Sequence, residues 1–181
     1  MKTKNMVSCA VFAAVLCVLA VITIPIGPVP ITLGFLGVML VGLVLGSKKG
    51  AISVAVYLLI GAVGLPVFSG FKGGFQVLIG PTGGYLWSYI LMAVIIGAIT
   101  HKLPENKWLA GLKIFAACVI AIIVGYTAGT IQFMAVQQTD LKNALALCVI
   151  PFIPFDIAKA IVTATLGLAI RKALEKAGFI E

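Results

Sequence analysis

Almost the whole chain consists of long apolar runs, and short segments rich in proline, glycine and charge separate them. Hydrophobic residues make up 62% of the 181 positions and charged residues only 10%, whereas a soluble domain carries about a quarter charged residues. Such a chain would aggregate in water, so lipid must be its solvent. Because about 20 apolar residues cross a bilayer as a helix, the runs predict an all-α integral membrane protein.

The runs divide into six predicted membrane-spanning helices. No soluble segment separates them, so residues 1–181 are expected to form a single membrane domain. The first run, too long for a signal peptide, is interpreted as a retained helix. The predicted spans are approximately residues 6–24, 31–46, 51–64, 85–100, 108–135 and 144–173, with a break in the last at residues 151–154.

The basic residues predict the orientation of these spans. An even number of spans places both termini on one side, and cytoplasmic termini bring ten of the thirteen basic residues to that face, as the positive-inside rule requires. The ten are Lys2, Lys4, Lys48, Lys49, Lys102, Lys107, Lys113, Arg171, Lys172 and Lys176. They form no basic stripe with interleaved aromatic residues, so a nucleic-acid partner is not expected.

The most irregular stretch is residues 65–84, a loop between the third and fourth predicted spans with six glycines and two prolines. Irregular backbone at membrane depth is tolerated where it is buried in protein or lines a cavity. In the predicted orientation this loop lies on the outer side, as do the turn at residues 25–30 and the break at 151–159. Capture of a solute from outside is therefore predicted.

Asp156 and Lys159 carry charge into the last apolar run, and their spacing of three residues places them on one helix face. Ionisable groups there are functional candidates by default, although a structural ion pair is the alternative. In the loop, Lys72 is either a partner for a ligand carboxylate or a solvated lysine. Thr82 and Tyr85 offer hydroxyl groups, and the adjacent glycines allow close backbone approach.

Several chemistries are not expected. Four cysteines in apolar runs and a single histidine, with no C-x-x-C pair, predict no metal site. The chain has no Walker A sequence, so it is not expected to hydrolyse ATP itself. The outer-side carboxylates, Asp140 and Asp156, have no histidine or reactive cysteine beside them, which argues against an intramembrane enzyme with catalytic residues. A purely structural subunit would not explain the charges and glycines on one face.

Two strips of small residues allow close helix approach. One, in the first span, contains Ala10, Ala13, Ala14 and Cys17, and the other is Gly125-x-x-x-Gly129. Internal packing explains both, and docking to a partner membrane subunit is the alternative.

Motifs along nearly the whole chain resemble the BioY family, the biotin-specific substrate-binding (S) subunits of energy-coupling factor (ECF) transporters. They are Pro25-Ile-Gly-Pro-Val-Pro-Ile-Thr32, Gly64-Leu-Pro-Val-Phe68, Gly73-Gly74, Gly80-Pro-Thr-Gly-Gly-Tyr-Leu86 and Pro151-Phe-Ile-Pro-Phe-Asp-Ile-Ala-Lys159. The resemblance implies a six-helix protein of the cell membrane that binds biotin outside. The implied partners are a transmembrane coupling (T) subunit and two cytoplasmic ATPases, and no cofactor is implied besides the ligand.

The resemblance also implies roles for individual residues. Asp156 and Lys159 match the family's polar pair, residues 68–85 match its ligand-covering segment, and Ala10 and Ala14 match its docking motif for the T subunit. The implied ligand-binding residues of the covering segment are Phe68, Lys72, Gly73, Gly74, Gln76, Thr82, Gly84 and Tyr85. Phe155 and Gly34 depart from the family pattern, which often has glycine and glutamine there. An S subunit for riboflavin or thiamine is the alternative.

Overall fold

Helices account for nearly all the regular structure in the computed structural model, which describes residues 3–25 and 29–179. The helices are α1 (Thr3–Val21), α2 (Gly34–Ala62), α3 (Phe75–Ile79), α4 (Gly83–Ile99), α5 (Lys107–Gln137), α6 (Leu141–Cys148), α7 (Ile153–Val162) and α8 (Leu168–Lys176). A π segment (Thr163–Gly167) joins α7 to α8, so these three elements form one continuous rod.

Within the described part of the chain, four helical stretches are long and apolar enough to cross a membrane: α1, α2, α5 and the rod from Ile153 to Lys176. Helix α4 is equally apolar but has 17 residues. The structure is therefore an all-helical bundle of membrane type, as the apolar runs predict.

Helix α2 folds back on itself at Gly46, whose backbone has φ 75° and ψ −179°. The ideal Cβ position of Gly50 lies 3.4 Å from the carbonyl oxygen of Val41. In a continuous helix nine residues advance by about 13.5 Å, so such an approach requires a sharp turn. Gly97 of α4 packs directly against the backbone of this turn, and the left-handed φ angle favours glycine at Gly46.

Helix α1 packs along both halves of α2. Near the start of α1, the carbonyl oxygen of Cys9 accepts from the Ser53 hydroxyl of α2 at 3.0 Å. Further along α1, Leu16 fills the space beside Gly37 of α2. After α1 the strands β1 (Thr23–Ile24) and β2 (Ile31–Thr32) pair antiparallel. Residues 26–28 of the turn between them lie outside the described residues.

Arg171 of α8 links this helix to α2 and to the end of α4. Its Nη1 donates to the carbonyl oxygens of Thr100 at 2.8 Å and Leu43 at 3.3 Å. The Ser8 hydroxyl lies 3.4 Å from the carbonyl oxygen of Phe179. The described ends of the chain are therefore close together, at the end of the bundle that also holds the Gly46 turn.

The predicted boundaries differ from the observed ones where short elements intervene. Residues 23–24 and 31–32 are strands instead of helix ends, and the 65–84 loop contains the short helix α3. The interval between the fifth and sixth predicted spans, residues 136–143, is reduced to residues 138–140 because α5 runs to Gln137 and α6 begins at Leu141. Pro154 lies in the first turn of α7, where proline is tolerated, so the break falls at residues 149–152.

Candidate functional site

A cavity of about 100 Å³ lies at the end of the bundle opposite Arg171. This is several times the volume that a single water requires. The glycine-rich loop, the β1–β2 connection and helices α2, α4, α5 and α7 contribute to it. Its lining is Val29, Pro30, Thr32, Phe35, Phe68, Ser69, Lys72, Val77, Thr82, Tyr85, Leu86, Tyr89, Tyr126, Cys148, Phe152, Asp156 and Lys159.

The polar centre of the cavity is the carboxylate of Asp156. Its Oδ1 accepts from Lys159 Nζ at 2.7 Å, and its Oδ2 accepts from the hydroxyl of Tyr126 at 2.7 Å. Asp156 is 3% exposed and Lys159 8%. A buried charge is tolerated only when it is paired and hydrogen-bonded, and here both carboxylate oxygens are satisfied.

The sequence explains this local geometry. Pro154, which has no backbone N–H, lies in the first turn of α7. The Asp156 backbone N–H donates to the carbonyl oxygen of Phe152 at 2.9 Å. Asp156 thus lies in the first turn of the helix, where a negative charge is favourable. Lys159 follows one turn later on the same face, so the pair forms within a single helix.

Aromatic rings from α2, α4 and α5 wall the cavity. The ring of Phe35 lies 5.6 Å from Tyr89, 6.2 Å from Tyr126 and 6.3 Å from Tyr85, centroid to centroid. The Tyr85 hydroxyl donates to the carbonyl oxygen of Cys148 at 3.0 Å. These separations are typical of favourable aromatic pairs, so the wall is rigid as well as apolar.

The glycine-rich loop closes over the cavity through a tight turn at residues 68–72. The backbone N–H of Phe68 donates to the carbonyl oxygen of Lys72 at 2.9 Å, and Gly70 and Phe71 have φ angles of 71° and 57°. The Phe68 ring is buried against Gly61, whose missing side chain leaves room for it. Lys72 remains exposed at the rim.

Six of the ten residues predicted to bind ligand line the cavity: Asp156, Lys159, Lys72, Phe68, Thr82 and Tyr85. The other four lie outside the lining and pack against backbone or the loop itself. A Cβ at Gly73 would meet the carbonyl oxygen of Leu65, and a Cβ at Gly84 would meet that of Ala128. Gly74 lies against the side-chain amide of Gln76, which is itself exposed. Glycine is required there for close packing within the loop and between α4 and α5.

Sequence reasoning missed Tyr126, Phe35 and Thr32. A signal for Tyr126 existed, since a hydroxyl in the middle of an apolar helix needs a partner and Asp156 was an available one. Thr32 belongs to the Pro-rich motif, and its Oγ1 accepts from the Gly34 N–H at 2.7 Å. Phe35 carries no such signal because its neighbours are all apolar.

The two positions that depart from the family pattern differ in their surroundings. Phe155 is 43% exposed and lies outside the cavity lining. Gly34 lies behind the cavity wall, and a Cβ there would collide with the Tyr89 hydroxyl. Position 34 therefore affects the cavity wall, whereas position 155 does not.

The small-residue strip of α1 separates into an inner and an outer side. Ala13 is 1% exposed and packs in the core, whereas Ala10 and Ala14 are exposed. In α5, Gly125 lies against the ring of Phe35 and Gly129 against that of Tyr85. The α5 strip therefore serves internal packing.

A bundle of apolar helices with a partly polar cavity at one end is the architecture of a membrane protein that holds a small solute. The BioY family model matches residues 1–176. The biotin transporter BioY of Thermotoga maritima is 40% identical over 93% of this chain and 96% of its own length. Biotin transporter BioY2 of Lactococcus lactis is 35% identical over 96% and 93%.

The comparison with solved structures agrees. The crystal structure of the S-component for biotin from an ECF-type ABC transporter superposes with a TM-score of 0.82 and 32% identity, covering 94% of this chain and 92% of that one. The chain belongs to the BioY family. It is a multi-pass membrane protein of a transport family, which confirms the prediction that it is not an enzyme.

Proposed function

We propose that the chain is the biotin-binding S subunit of an ECF-type uptake transporter and that biotin occupies the cavity around Asp156. The observation that carries the proposal is the buried pair of Asp156 and Lys159 inside an aromatic wall. The relatives named as biotin transporters and the biotin S-component support the choice of ligand.

The polar end of the cavity suits the ureido ring of biotin, which has two N–H donors and one carbonyl acceptor. Asp156 is the acceptor for the N–H groups, and Lys159 or Thr82 donates to the carbonyl. Tyr85 is a weaker donor candidate because its hydroxyl proton is engaged with the carbonyl oxygen of Cys148. Ser69 Oγ also lies in the lining and is buried without a partner among the described residues.

The remaining parts of biotin match the rest of the lining. The thiophane ring and the valeryl chain contact Phe35, Phe68 and Tyr89, in agreement with the apolar character of small-molecule sites. Lys72 at the exposed rim then meets the carboxylate. Gly73, Gly74, Gln76 and Gly84 support the covering loop from outside the lining.

The proposed topology has six crossings with both termini in the cytoplasm. The sharp turn at Gly46 supports counting α2 as two crossings, and the contact of Ser8 with Phe179 supports termini on one side. Lys48, Lys49 and Arg171 lie at that same end, which the positive-inside rule makes cytoplasmic. The cavity then opens outward.

The proposed partners are a T subunit and two cytoplasmic ATPases. The similar solved structure is an S-component of an ECF-type ABC transporter, and this supports a multi-subunit assembly. Ala10 and Ala14 offer a smooth exposed strip on α1 for the T subunit, since small residues let membrane helices approach closely.

Calorimetric titration of detergent-purified protein with biotin, riboflavin and thiamine tests the ligand, and saturable binding of biotin alone is expected. The Asp156→Asn variant should bind biotin at least about 30-fold more weakly, as expected for removing one member of a buried charge pair. Glu175→Gln, at the opposite end, is the matched control and should bind normally. A change below about threefold for Asp156→Asn, less than 1 kcal/mol, would contradict the assignment.

A further inference from the structure

A second cavity, of about 440 Å³, opens on the side of the bundle between α5 and the rod formed by α7, the π segment and α8. It shares no lining residue with the Asp156 cavity. We call it the lateral groove. Its lining is Lys107, Trp108, Gly111, Leu112, Phe115, Ile161, Ala164, Thr165 and Leu168.

The lateral groove exists because its floor consists of small residues. The ideal Cβ position of Gly111 meets nothing closer than the Ala164 carbonyl oxygen at 3.9 Å, so a side chain is missing where one would fit. The hydroxyl of Thr165 is bonded back to the carbonyl oxygen of Ile161 at 2.9 Å. Apart from Lys107 and Trp108 at one end, the described lining of the groove therefore presents no unpaired polar side chain to a ligand.

The end of the lateral groove at the start of α5 is cationic. Lys107 is exposed and has no carboxylate within 4.0 Å among residues 3–25 and 29–179. Trp108 beside it is 76% exposed, a placement typical of the membrane interface. Lys102, in the segment that leads into α5, accepts through its carbonyl oxygen from Lys113 Nζ at 2.8 Å. The groove is thus apolar along its length and positive at its mouth.

We propose that the lateral groove binds one anionic phospholipid, with an acyl chain along Gly111 and Ala164 and the headgroup phosphate at Lys107. The length favours a lipid chain over a protein helix, because residues 107–115 span only about 12 Å. Charge selects the headgroup: basic pockets between membrane helices bind anionic lipids. A net charge of +8 on the chain acts in the same direction.

Quenching of tryptophan fluorescence by brominated lipids tests the proposal in vesicles. The chain has two tryptophans, so Trp87→Phe leaves Trp108 as the reporter and Trp108→Phe leaves Trp87 as the matched control. Dibromo-phosphatidylglycerol and dibromo-phosphatidylcholine are each titrated into a non-brominated phosphatidylcholine background. Trp108 should prefer the anionic lipid about fivefold, the ratio expected for one lysine at an anionic surface, and Trp87 should show no preference.

Three further substitutions, one of them a control, test the charge of Lys107 and the shape of the groove separately. Lys107→Gln should abolish the preference at Trp108, whereas Lys142→Gln, at the start of α6 and beyond the other end of α5, should not. Gly111→Leu fills the groove with a better helix former and should lower quenching of Trp108 by both lipids. Equal quenching of Trp108 by the two lipids, or a preference that survives Lys107→Gln, would overturn the proposal.

Discussion

The rod from Ile153 to Lys176 carries two ion pairs of nearly equal length in very different surroundings. Lys159 lies 2.7 Å from Asp156, and Arg171 lies 2.8 Å from Glu175. The side chains of the first pair are 9% and 4% exposed, whereas those of the second are 15% and 39% exposed. Distance alone would rank the pairs as equals.

Burial separates their energetic roles. An exposed pair contributes about 0–1 kcal/mol, and Glu175 is at the surface. Breaking a buried pair costs about 3–5 kcal/mol because it leaves one charge without compensation. The first pair therefore gives the cavity a fixed polar centre, although loss of either charge would destabilise the protein. Ionisable groups at such positions in membrane helices are functional-site candidates by default.

Lys159→Met should have the largest effect, because it leaves the Asp156 carboxylate buried with only the Tyr126 hydroxyl. We expect a loss of about 3–5 kcal/mol in the free energy of unfolding, measured by thermal unfolding in detergent. The double variant Asp156→Asn with Lys159→Met should recover more than half of this loss. Equal stability of the single and double variants would show that the charge is not the cause.

Tyr126→Phe should weaken biotin binding by about tenfold or more, because a hydrogen bond to a charged group is worth about 1.5–3 kcal/mol. Calorimetric titration measures the change. Tyr57→Phe is the matched control, since the Tyr57 hydroxyl is buried without a partner among the described residues. Unchanged affinity in Tyr126→Phe would remove the Tyr126 hydroxyl from the binding site.

Glu175→Gln should have the smallest effect, below about 1 kcal/mol in unfolding free energy. Arg171 keeps its bonds to the carbonyl oxygens of Leu43 and Thr100, so the helix ends stay joined. The small difference between wild type and variant should shrink further as ionic strength rises. A loss comparable with that of Lys159→Met would show that burial does not separate the two pairs.

The sequence predicted the membrane class and most helices, because long apolar runs and the prolines and glycines that interrupt them are strong signals. It also predicted a break between residues 46 and 51, and the chain folds back at Gly46. The paired strands at residues 23–24 and 31–32 were missed because two residues are too few to show an alternating pattern. The π segment was missed because hydrogen-bond slippage within an apolar helix leaves no compositional trace.

The site was predictable where charge marks it. Asp156 and Lys159 stand out in an apolar run, and the glycine-rich loop marks the cover. The separate roles of its glycines depend on tertiary contacts: Gly84 faces the backbone of Ala128, which no local pattern reveals. Tyr126 joins the site from a helix 30 residues away from Asp156, and only the packing of α5 against α7 brings them together.

The π segment sets the angular relation between the two ends of the rod. Lys159 and Arg171 are twelve residues apart, and in a regular α-helix their side chains would point about 120° apart. One residue absorbed by a wider π turn reduces this angle to about 20°. Lys159 thus meets Asp156 inside the cavity while Arg171 meets the carbonyl oxygens of Leu43 and Thr100. A one-residue change in phase lets a single rod direct both cations into the protein.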